Sequence, residues 1–345
     1  MTKVAVALSG GIDSAVVAAL LLENGYQVVG ITGKMFCDAN SEEIVSNAKC
    51  VADKLGIEHF VLDLSKEFEK NVINYFENSY KLGETPNPCV MCNKHIKWGF
   101  LLDYAINVLK ADFFATGHYA NIKCEDGVYK LYPALDEEKD QLYFLFQLSQ
   151  DQLSKTVFPL SGYKKSEVRE FAEKYNLPSK SSKESQDICF IKPPMTTKKY
   201  LNEVFANCKG FFVEKNTEKI LGTHDGYWQY TIGQRKGIGI AAPKPLYVLD
   251  IDAVSNTVYV GYKDDLKAKY LSLKNVVWCS SLTQDKFEAL VKVRYNMKAV
   301  RAVVHCGEIV EIIFKEEVLG ITPGQACVIY ELETGALIGG GFIEK

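Results

Sequence analysis

Three cysteines and one glycine-rich turn carry most of the chemistry that can be read from this chain. Ser9-Gly10-Gly11-Ile12-Asp13-Ser14 follows a short apolar run, Val4 to Leu8, and opens a helical pattern from Asp13 to Glu23. A turn at such a junction offers the free N–H groups and partial positive charge of a helix N-terminus, which bind anions. Gly10 and Gly11 let the backbone close around a phosphate. Ser9 and Ser14 add hydroxyl donors, and Asp13 is a candidate ligand for the magnesium that accompanies a nucleoside triphosphate. The turn lacks the lysine of GxxxxGK(S/T) and the spacing of GxGxxG, so it is neither of those phosphate loops. Cys89-Val90-Met91-Cys92 places two thiols ahead of a helix predicted from about Asn93 to Leu109. A helix N-terminus lowers a thiol's pKa, so Cys92 is expected to reach the thiolate near neutral pH. The third thiol stands in Ser185-Gln186-Asp187-Ile188-Cys189-Phe190-Ile191. A single CxxC reads as half a metal site, a redox pair or neither. The sequence has no second CxxC or spaced histidine pair to complete a zinc site.

The elements that must hold these groups alternate in the first half. Strands are predicted at Val4–Leu8, Tyr26–Ile31, His59–Leu62 and Phe113–Thr116, with helices at Asp13–Glu23, Ser41–Leu55 and Glu67–Leu82. Ser41 is placed as the N-cap of its helix and Gly56 just past its end. This alternation indicates an α/β fold with a doubly wound parallel sheet, whose ligands bind at the carboxyl ends of the strands. After about residue 200 the pattern turns to short β-branched and aromatic runs: Tyr247–Ile251, Thr257–Val260, Leu290–Tyr295, Arg301–His305, Ile309–Phe314 and Ala326–Tyr330. These predict antiparallel sheet, arranged as a small β-rich middle domain and a C-terminal antiparallel β-barrel. The expected domains are 1–198, 199–268 and 269–345.

The length of 345 residues calls for two or three domains, and 47% hydrophobic with 24% charged residues is a globular composition. No apolar run is long enough to span a bilayer, and the N-terminus lacks the pattern of a signal peptide. A cytoplasmic location without membrane association is therefore expected, where the ten cysteines stay reduced. Cys50, Cys208 and Cys327 are expected to be buried small hydrophobes. The net charge of −3 gives no global sign of a nucleic-acid partner. Ala289 to Arg301 carries Lys292, Arg294, Lys298 and Arg301 without an acidic residue, which by itself reads as a solvated strand pair. A histidine after a strand, His118, is either a general base or, preferentially, a hydrogen-bonding support for the Gly117 loop. Trp228, Tyr230 and Arg235 can stack on bases but read first as ordinary packing.

The Ser-Gly-Gly-x-Asp-Ser turn resembles the pyrophosphate loop of ATP pyrophosphatases, which attach AMP to an oxygen and so make it a leaving group. The chain as a whole resembles the tRNA-specific 2-thiouridylases. The resemblance lies in ALSGGIDS (7–14), TPNPCVMCNK (85–94), ATGHY (115–119), KDQLYFL (139–145), DICFI (187–191), GQRKGIGI (233–240), VRY (293–295) and TPGQ (322–325), in the family's order. It implies an adenine nucleotide α-hydrolase-like domain in which Ala7, Leu8, Ser9, Gly10, Gly11, Ile12, Asp13, Ser14 and Gly117 bind ATP with Mg2+. Gly33 would contact the adenosine, at a position where many relatives carry Met. Cys92 corresponds to the catalytic nucleophile and Cys189 to the persulfide carrier. Asn87, Pro88 and Cys89 would surround the target base, while Lys139, Asp140, Gln141, Arg294 and Tyr295 would touch the tRNA. The implied partners are tRNA, through the wobble uridine of its anticodon loop, and a sulfur-carrier protein or cysteine desulfurase.

Two sulfur routes stay open. In one, Cys189 carries a persulfide. In the other, Cys89, Cys92 and Cys189 hold a four-iron four-sulfur cluster with one open iron; some relatives have Asp at the position of Cys89. Another AMP-forming ligase would explain the glycine turn but not the three thiols, and a non-catalytic RNA- or metal-binding module would leave that turn without a purpose. The Thr85-Pro86-Asn87-Pro88 breaker predicts a mobile loop through Cys92.

Overall fold

The computed structural model describes residues 1–178, 188–280, 282 and 284–344. Ser185, Gln186 and Asp187 lie outside the described residues.

Five short parallel strands form the first sheet: β1 (Lys3–Ala7), β2 (Gln27–Lys34), β3 (Glu58–Asp63), β4 (Phe113–Ala115) and β7 (Thr156–Val157). Their order is β3-β2-β1-β4-β7, so the winding reverses between β1 and β4. β1 reads Lys-Val-Ala-Val-Ala and is buried on both faces, as a central parallel strand must be. Helix α1 (Ile12–Glu23) packs one side of the sheet with an almost wholly buried first three turns. Helix α2 (Ala39–Leu55) flanks it. The cap of α2 is Asp38, whose side chain accepts from Ser41 N, rather than Ser41 itself. Gly56 does close the helix, in the left-handed conformation at φ 68°. A hairpin of β5 (Asn121–Glu125) and β6 (Val128–Tyr132) follows β4.

The middle sheet comprises β8 (Gly210–Glu214), β9 (Ile220–His224), β10 (Tyr247–Asp252) and β11 (Thr257–Gly261), ordered β10-β11-β8-β9. It is not purely antiparallel: β11 runs parallel to β8. Strands β12 (Lys267–Trp278), β13 (Lys286–Lys292), β14 (Val300–Cys306), β15 (Val310–Leu319), β16 (Ala326–Tyr330) and β17 (Leu337–Ile343) close into a barrel whose pairs are all antiparallel. The run expected as a strand from Leu290 to Tyr295 ends at Lys292, leaving Arg294 and Tyr295 in the turn before β14.

The barrel is fused to the half that carries the parallel sheet rather than strung after it. Ala326, Val328, Tyr330, Leu337 and Phe342 share one apolar core with Leu142, Tyr143 and Phe146. Tyr143 Oη donates to Ala326 O at 2.7 Å, and Gln150 Nε2 donates to Cys279 O at 2.6 Å. The middle sheet in turn packs on Phe76 and Tyr80. Burial of this extent makes the relative placement of the sheets part of the fold's stability.

Candidate active site

A cavity of about 290 Å³ opens at the carboxyl ends of β1, β2 and β4, at the point where the winding reverses. Ala7, Leu8, Ser9, Asp13, Ser14, Gly33 and Gly117 line it. The other turn residues shape the wall instead. Gly10 sits at φ 72°, and a Cβ there would meet Asn47 Cβ at 2.8 Å and Ile44 O at 3.0 Å. Gly11 is the N-cap of α1 and Ile12 is buried beneath it. The hydroxyls pin the turn: Ser9 N donates to Ser14 Oγ at 3.2 Å and Gly11 N to Ser9 Oγ at 3.4 Å. Gly117 lies against α1, since a Cβ would come within 2.9 Å of Asp13 Cβ. Beside Gly33, Met35 Cε stands where a side chain at 33 would begin, 2.8 Å from the Cβ position. Met35 also lines the cavity, so this chain supplies a methionine from two residues along.

Asp13 is not an open metal ligand. Both of its oxygens accept from Lys165 Nζ, at 2.6 and 2.7 Å, and Tyr119 Oη donates to Oδ1 at 3.0 Å. Magnesium arriving with the nucleotide's phosphates would meet this carboxylate already paired, with the hydroxyls of Ser9 and Ser14 as the neutral oxygens nearby.

The thiol segment is helical, not a loop. Asn87 caps a helix beginning at Pro88, its Oδ1 accepting from Val90 N at 3.4 Å; proline at the first position has no N–H to leave unpaired. Helical structure continues through the wider i→i+5 stretch Cys92–Leu101. Val90, Asn93, Ile96, Trp98 and Leu101 turn inward, and Trp98 Nε1 donates to Thr156 Oγ1 at 2.8 Å. Cys92 therefore stands beyond the first turn, its N–H already bonded to Pro88 O and Cys89 O, and it gains little from the helix end. Burial dominates: it pushes the Cys92 thiol up to about 11, only partly offset by Lys97. That corrects the expected low pKa. Cys189 is exposed at the site's surface, yet enclosure by surrounding chain, with Cys92 and Cys89 as like-charged neighbours, pushes it up to about 12. Cys89 is raised by burial as well. The three thiols thus lie within electrostatic reach of one another. Elsewhere Cys327 is buried as expected, whereas Cys50 and Cys208 are exposed; Cys50 falls on the outward face of α2.

His118 is a support. It is buried between Trp98 and Phe158. Lys97 Nζ lies 3.3 Å from its Nε2 and Thr116 Oγ1 2.8 Å from its Nδ1. An ammonium can only donate, so Nε2 accepts and Nδ1–H donates to Thr116. Burial, then Lys97, holds its pKa well below the usual histidine range.

Two separated motifs meet beside the thiols. Gln325 Nε2 donates to Thr85 O at 3.0 Å and Pro86 O at 3.2 Å, and Thr85 N donates to Pro323 O at 2.9 Å. The barrel thereby sets the position of Asn87, Pro88 and Cys89. Asp140 accepts from Ala134 N and Leu142 N, folding its own loop, and burial raises its pKa. Gln141 Oε1 accepts from Tyr119 N, and the residue lines the nucleotide cavity. Lys139 is half-buried in the same loop. Arg294 joins the barrel to the middle sheet: Nη2 donates to Gly320 O, to Thr322 Oγ1 at 2.9 Å and to Ile232 O at 3.4 Å. Tyr295 packs on Phe144 with ring centres 4.6 Å apart. Trp228 and Tyr230 are buried in the middle core, as packing residues.

Among the described residues no group of three or more Cys, His or carboxylate side chains is gathered in metal-ligating geometry. The three thiols are neighbours but not a preassembled set of cluster ligands. No helix among the described residues is long and apolar enough to cross a membrane. Sequence reasoning missed Lys97 and Lys165. Nothing in Cys92-Asn93-Lys94-His95-Ile96-Lys97 separates Lys97 from Lys94, and Lys165 is far from the turn it neutralises.

Residues 2–193 match the family described as tRNA methyl transferase HUP domain, 198–262 the tRNA methyl transferase PRC-barrel domain, and 268–343 the aminomethyltransferase beta-barrel domain. The tRNA-specific 2-thiouridylase MnmA of Carboxydothermus hydrogenoformans is 44% identical over 99% of this chain and 98% of its own. That of Syntrophomonas wolfei is 43% identical over 99% of each. Among solved structures, the U34-tRNA thiolase NcsA from Methanococcus maripaludis is similar at 22% identity and TM-score 0.36, covering 59% of this chain and 64% of that one.

Proposed function

The chain belongs to the tRNA-specific 2-thiouridylase family, and from that premise we propose how its site carries out the reaction. It is an ATP-using enzyme that replaces the C2 oxygen of the tRNA wobble uridine with sulfur. The phosphates of ATP with Mg2+ rest on Ser9 to Ser14 and the N-terminus of α1, and Gly33 with Met35 borders the adenosine. The C2 oxygen attacks the α-phosphorus, pyrophosphate leaves, and C2 carries an O–AMP leaving group. The terminal sulfur of a Cys189 persulfide attacks C2 and expels AMP, leaving C2 joined to Cys189 through the disulfide pair. The Cys92 thiolate then attacks Cys189 Sγ, so that 2-thiouridine departs and a Cys92–Cys189 disulfide remains. An external thiol reductant supplies two electrons to reset it, and a sulfur-carrier protein or cysteine desulfurase recharges Cys189.

The observation that carries this reading is that Asn87, Cys89 and Cys92 open the same helical stretch that brings Lys97 to the wall of the cavity formed by Ser9, Asp13, Ser14 and Gly117. Division into domains at 1–198, 199–268 and 269–345, with the barrel bearing on tRNA, belongs to the same proposal. So do the base pocket at Asn87, Pro88 and Cys89, the tRNA contacts of Lys139, Asp140, Gln141, Arg294 and Tyr295, and a cytoplasmic setting. The test is thiolation by Cys92→Ala and Cys189→Ala. Both are expected to be inactive, and substantial turnover by Cys189→Ala contradicts the persulfide route. A four-iron cluster on the three thiols is the competing proposal, resting on the family resemblance and on the third cysteine at position 89. Iron and acid-labile sulfide in anaerobically purified, active protein would favour it; full activity with neither removes it.

A further inference from the structure

A second cavity, of about 610 Å³, lies where three parts of the molecule meet: the helix Asn74–Lys81, the thiol helix at Met91 and Lys94, and the barrel at Lys274 and Phe342. We propose that this cavity holds a backbone phosphate of the tRNA on the ammonium of Lys94 while the target uridine is at Asn87–Cys89. The proposal rests on the reading of tRNA as the substrate and adds a phosphate site to it.

The charge of the cavity is set by three side chains. Among its described lining residues the charged groups are Lys94, Lys274 and Glu84. Lys274 is paired with Glu84, so one positive charge is left over, that of Lys94. Among the described residues no carboxylate lies within ion-pair distance of Lys94, and its polar partner is the neutral Gln147, whose Oε1 accepts from Nζ at 2.8 Å. An ammonium has three N–H donors and can only donate. Gln147 must therefore turn its carbonyl to Lys94 and its amide N–H groups away. Gln147 is 6% exposed, and its Nε2 is buried without an acceptor among the described residues. Buried orphan donors are rare and call for a cause. Here the orphan amide accompanies the seating of a half-buried ammonium by an acceptor that leaves its charge intact, as a carboxylate would not.

A phosphodiester carries one negative charge, which matches the one unopposed ammonium. The position of the cavity points to the tRNA as its source. Glu84, in the cavity wall, immediately precedes Thr85-Pro86-Asn87. Gly324, also in the wall, lies so close to this segment that a Cβ there would meet Glu84 Cβ at 2.8 Å and Thr85 O at 3.0 Å. Its neighbour Gln325 donates to Thr85 O and Pro86 O. The cavity thus shares its wall with the segment that leads into the base pocket. Asn78 and Asn275 line it as neutral amides suited to ribose hydroxyls. Phosphate contacts of this kind fix the register of an RNA without reading its sequence.

The experiment is filter binding of an unmodified tRNA transcript to the full-length protein without ATP, over a series of potassium chloride concentrations. For Lys94→Gln, whose amide can still donate to Gln147, Kd at low salt should rise roughly tenfold, the scale of one charged hydrogen bond. The slope of log Kd against log salt should fall by about 0.7–1, one phosphate contact. Lys94→Arg should keep the wild-type slope. Gln147→Glu supplies the complementary test, because it neutralises Lys94 and removes the orphan amide. It should unfold at the same or a higher denaturant concentration than wild type, yet bind tRNA with the reduced slope of Lys94→Gln. A slope unchanged from wild type in both Lys94→Gln and Gln147→Glu overturns the proposal while leaving the substrate reading intact. Unchanged tRNA binding with thiolation lost only when a carrier protein delivers the sulfur would assign the cavity to an acidic partner segment, and overturns it too. Wild-type protein that fails to bind tRNA at any salt would overturn the substrate reading and this proposal together.

Discussion

Lys165 Nζ bridges both carboxylate oxygens of Asp13, at 2.6 and 2.7 Å, and so ties the helix at Lys165–Lys174 to the first turn of α1. The lysine is buried, and Asp13 also receives Tyr119 Oη. Removing the ammonium leaves a half-buried carboxylate without its partner, beside phosphates of the same sign. Lys165→Met should lose about 2 kcal/mol of stability, the scale of a lost charged hydrogen bond. ATP affinity should fall with it. Denaturant unfolding and calorimetric ATP titration check both; unchanged affinity would remove Asp13–Lys165 from the nucleotide site.

Gly10→Ala should abolish ATP binding, whereas Gly11→Ala should weaken it only mildly. At Gly10 the backbone is left-handed and the new methyl meets Asn47 Cβ at 2.8 Å, at a cost of roughly 1–3 kcal/mol concentrated at the turn. Gly11 is extended, at φ −89°, and a methyl there meets only Ser9 Oγ at 3.3 Å. The comparison is a titration of both variants with ATP. Equal affinity would show that the turn adapts.

How much of this arrangement was legible beforehand follows from the range of the interactions. The glycine turn, α1 and the β1-to-β4 frame follow from periodicity and local turn chemistry, and they stand where expected. The sequence pattern starts the thiol helix five residues late because Pro88 reads as a breaker, although proline is favoured in a helix's first turn. The same shift moves Cys92 from the helix end into its interior, where burial raises its pKa. Strands β12 and β17 escape the sequence pattern: Lys267–Trp278 carries three lysines, and Leu337–Ile343 contains three glycines, signals that local reading assigns to loops. The ties Lys165–Asp13, Gln325–Thr85 and Arg294–Gly320 join residues far apart in the chain. No short-range pattern encodes them.

The raised thiol pKa values give a pH dependence of definite sign. Cys92 is neutral in the folded enzyme up to about pH 11, while an unfolded thiol ionises near 9.0. Between those values the unfolded chain releases its proton first, so the contribution of Cys92 to stability is complete below pH 9 and is lost as pH rises towards 11. Cys92→Ala should flatten the decline of stability across that window. Cys92 alkylation in the wild type should meanwhile rise about tenfold per pH unit from 7 to 10. A plateau near pH 8 would place the folded pKa far lower than the burial of this thiol allows.

Arg294→Lys should be nearly as damaging as Arg294→Ala. The tie to Gly320 O, Thr322 Oγ1 and Ile232 O is made by Nη2 alone, at the tip of the guanidinium, one bond further out than the ammonium of a lysine would stand. Each variant should lose about 2 kcal/mol of stability and bind tRNA more weakly, because the middle sheet and barrel lose a shared anchor. Chemical denaturation and filter binding of tRNA check this; a fully active Lys variant would mean that charge alone suffices at this position.

The central claim is tested most directly by nucleoside mass spectrometry of tRNA incubated anaerobically with the purified protein, ATP and a persulfide source. The account predicts ATP-dependent replacement of oxygen by sulfur at the wobble uridine, with AMP and pyrophosphate released, and no replacement by Cys189→Ala. Thiolation that persists in Cys189→Ala, or that proceeds without ATP, would contradict it.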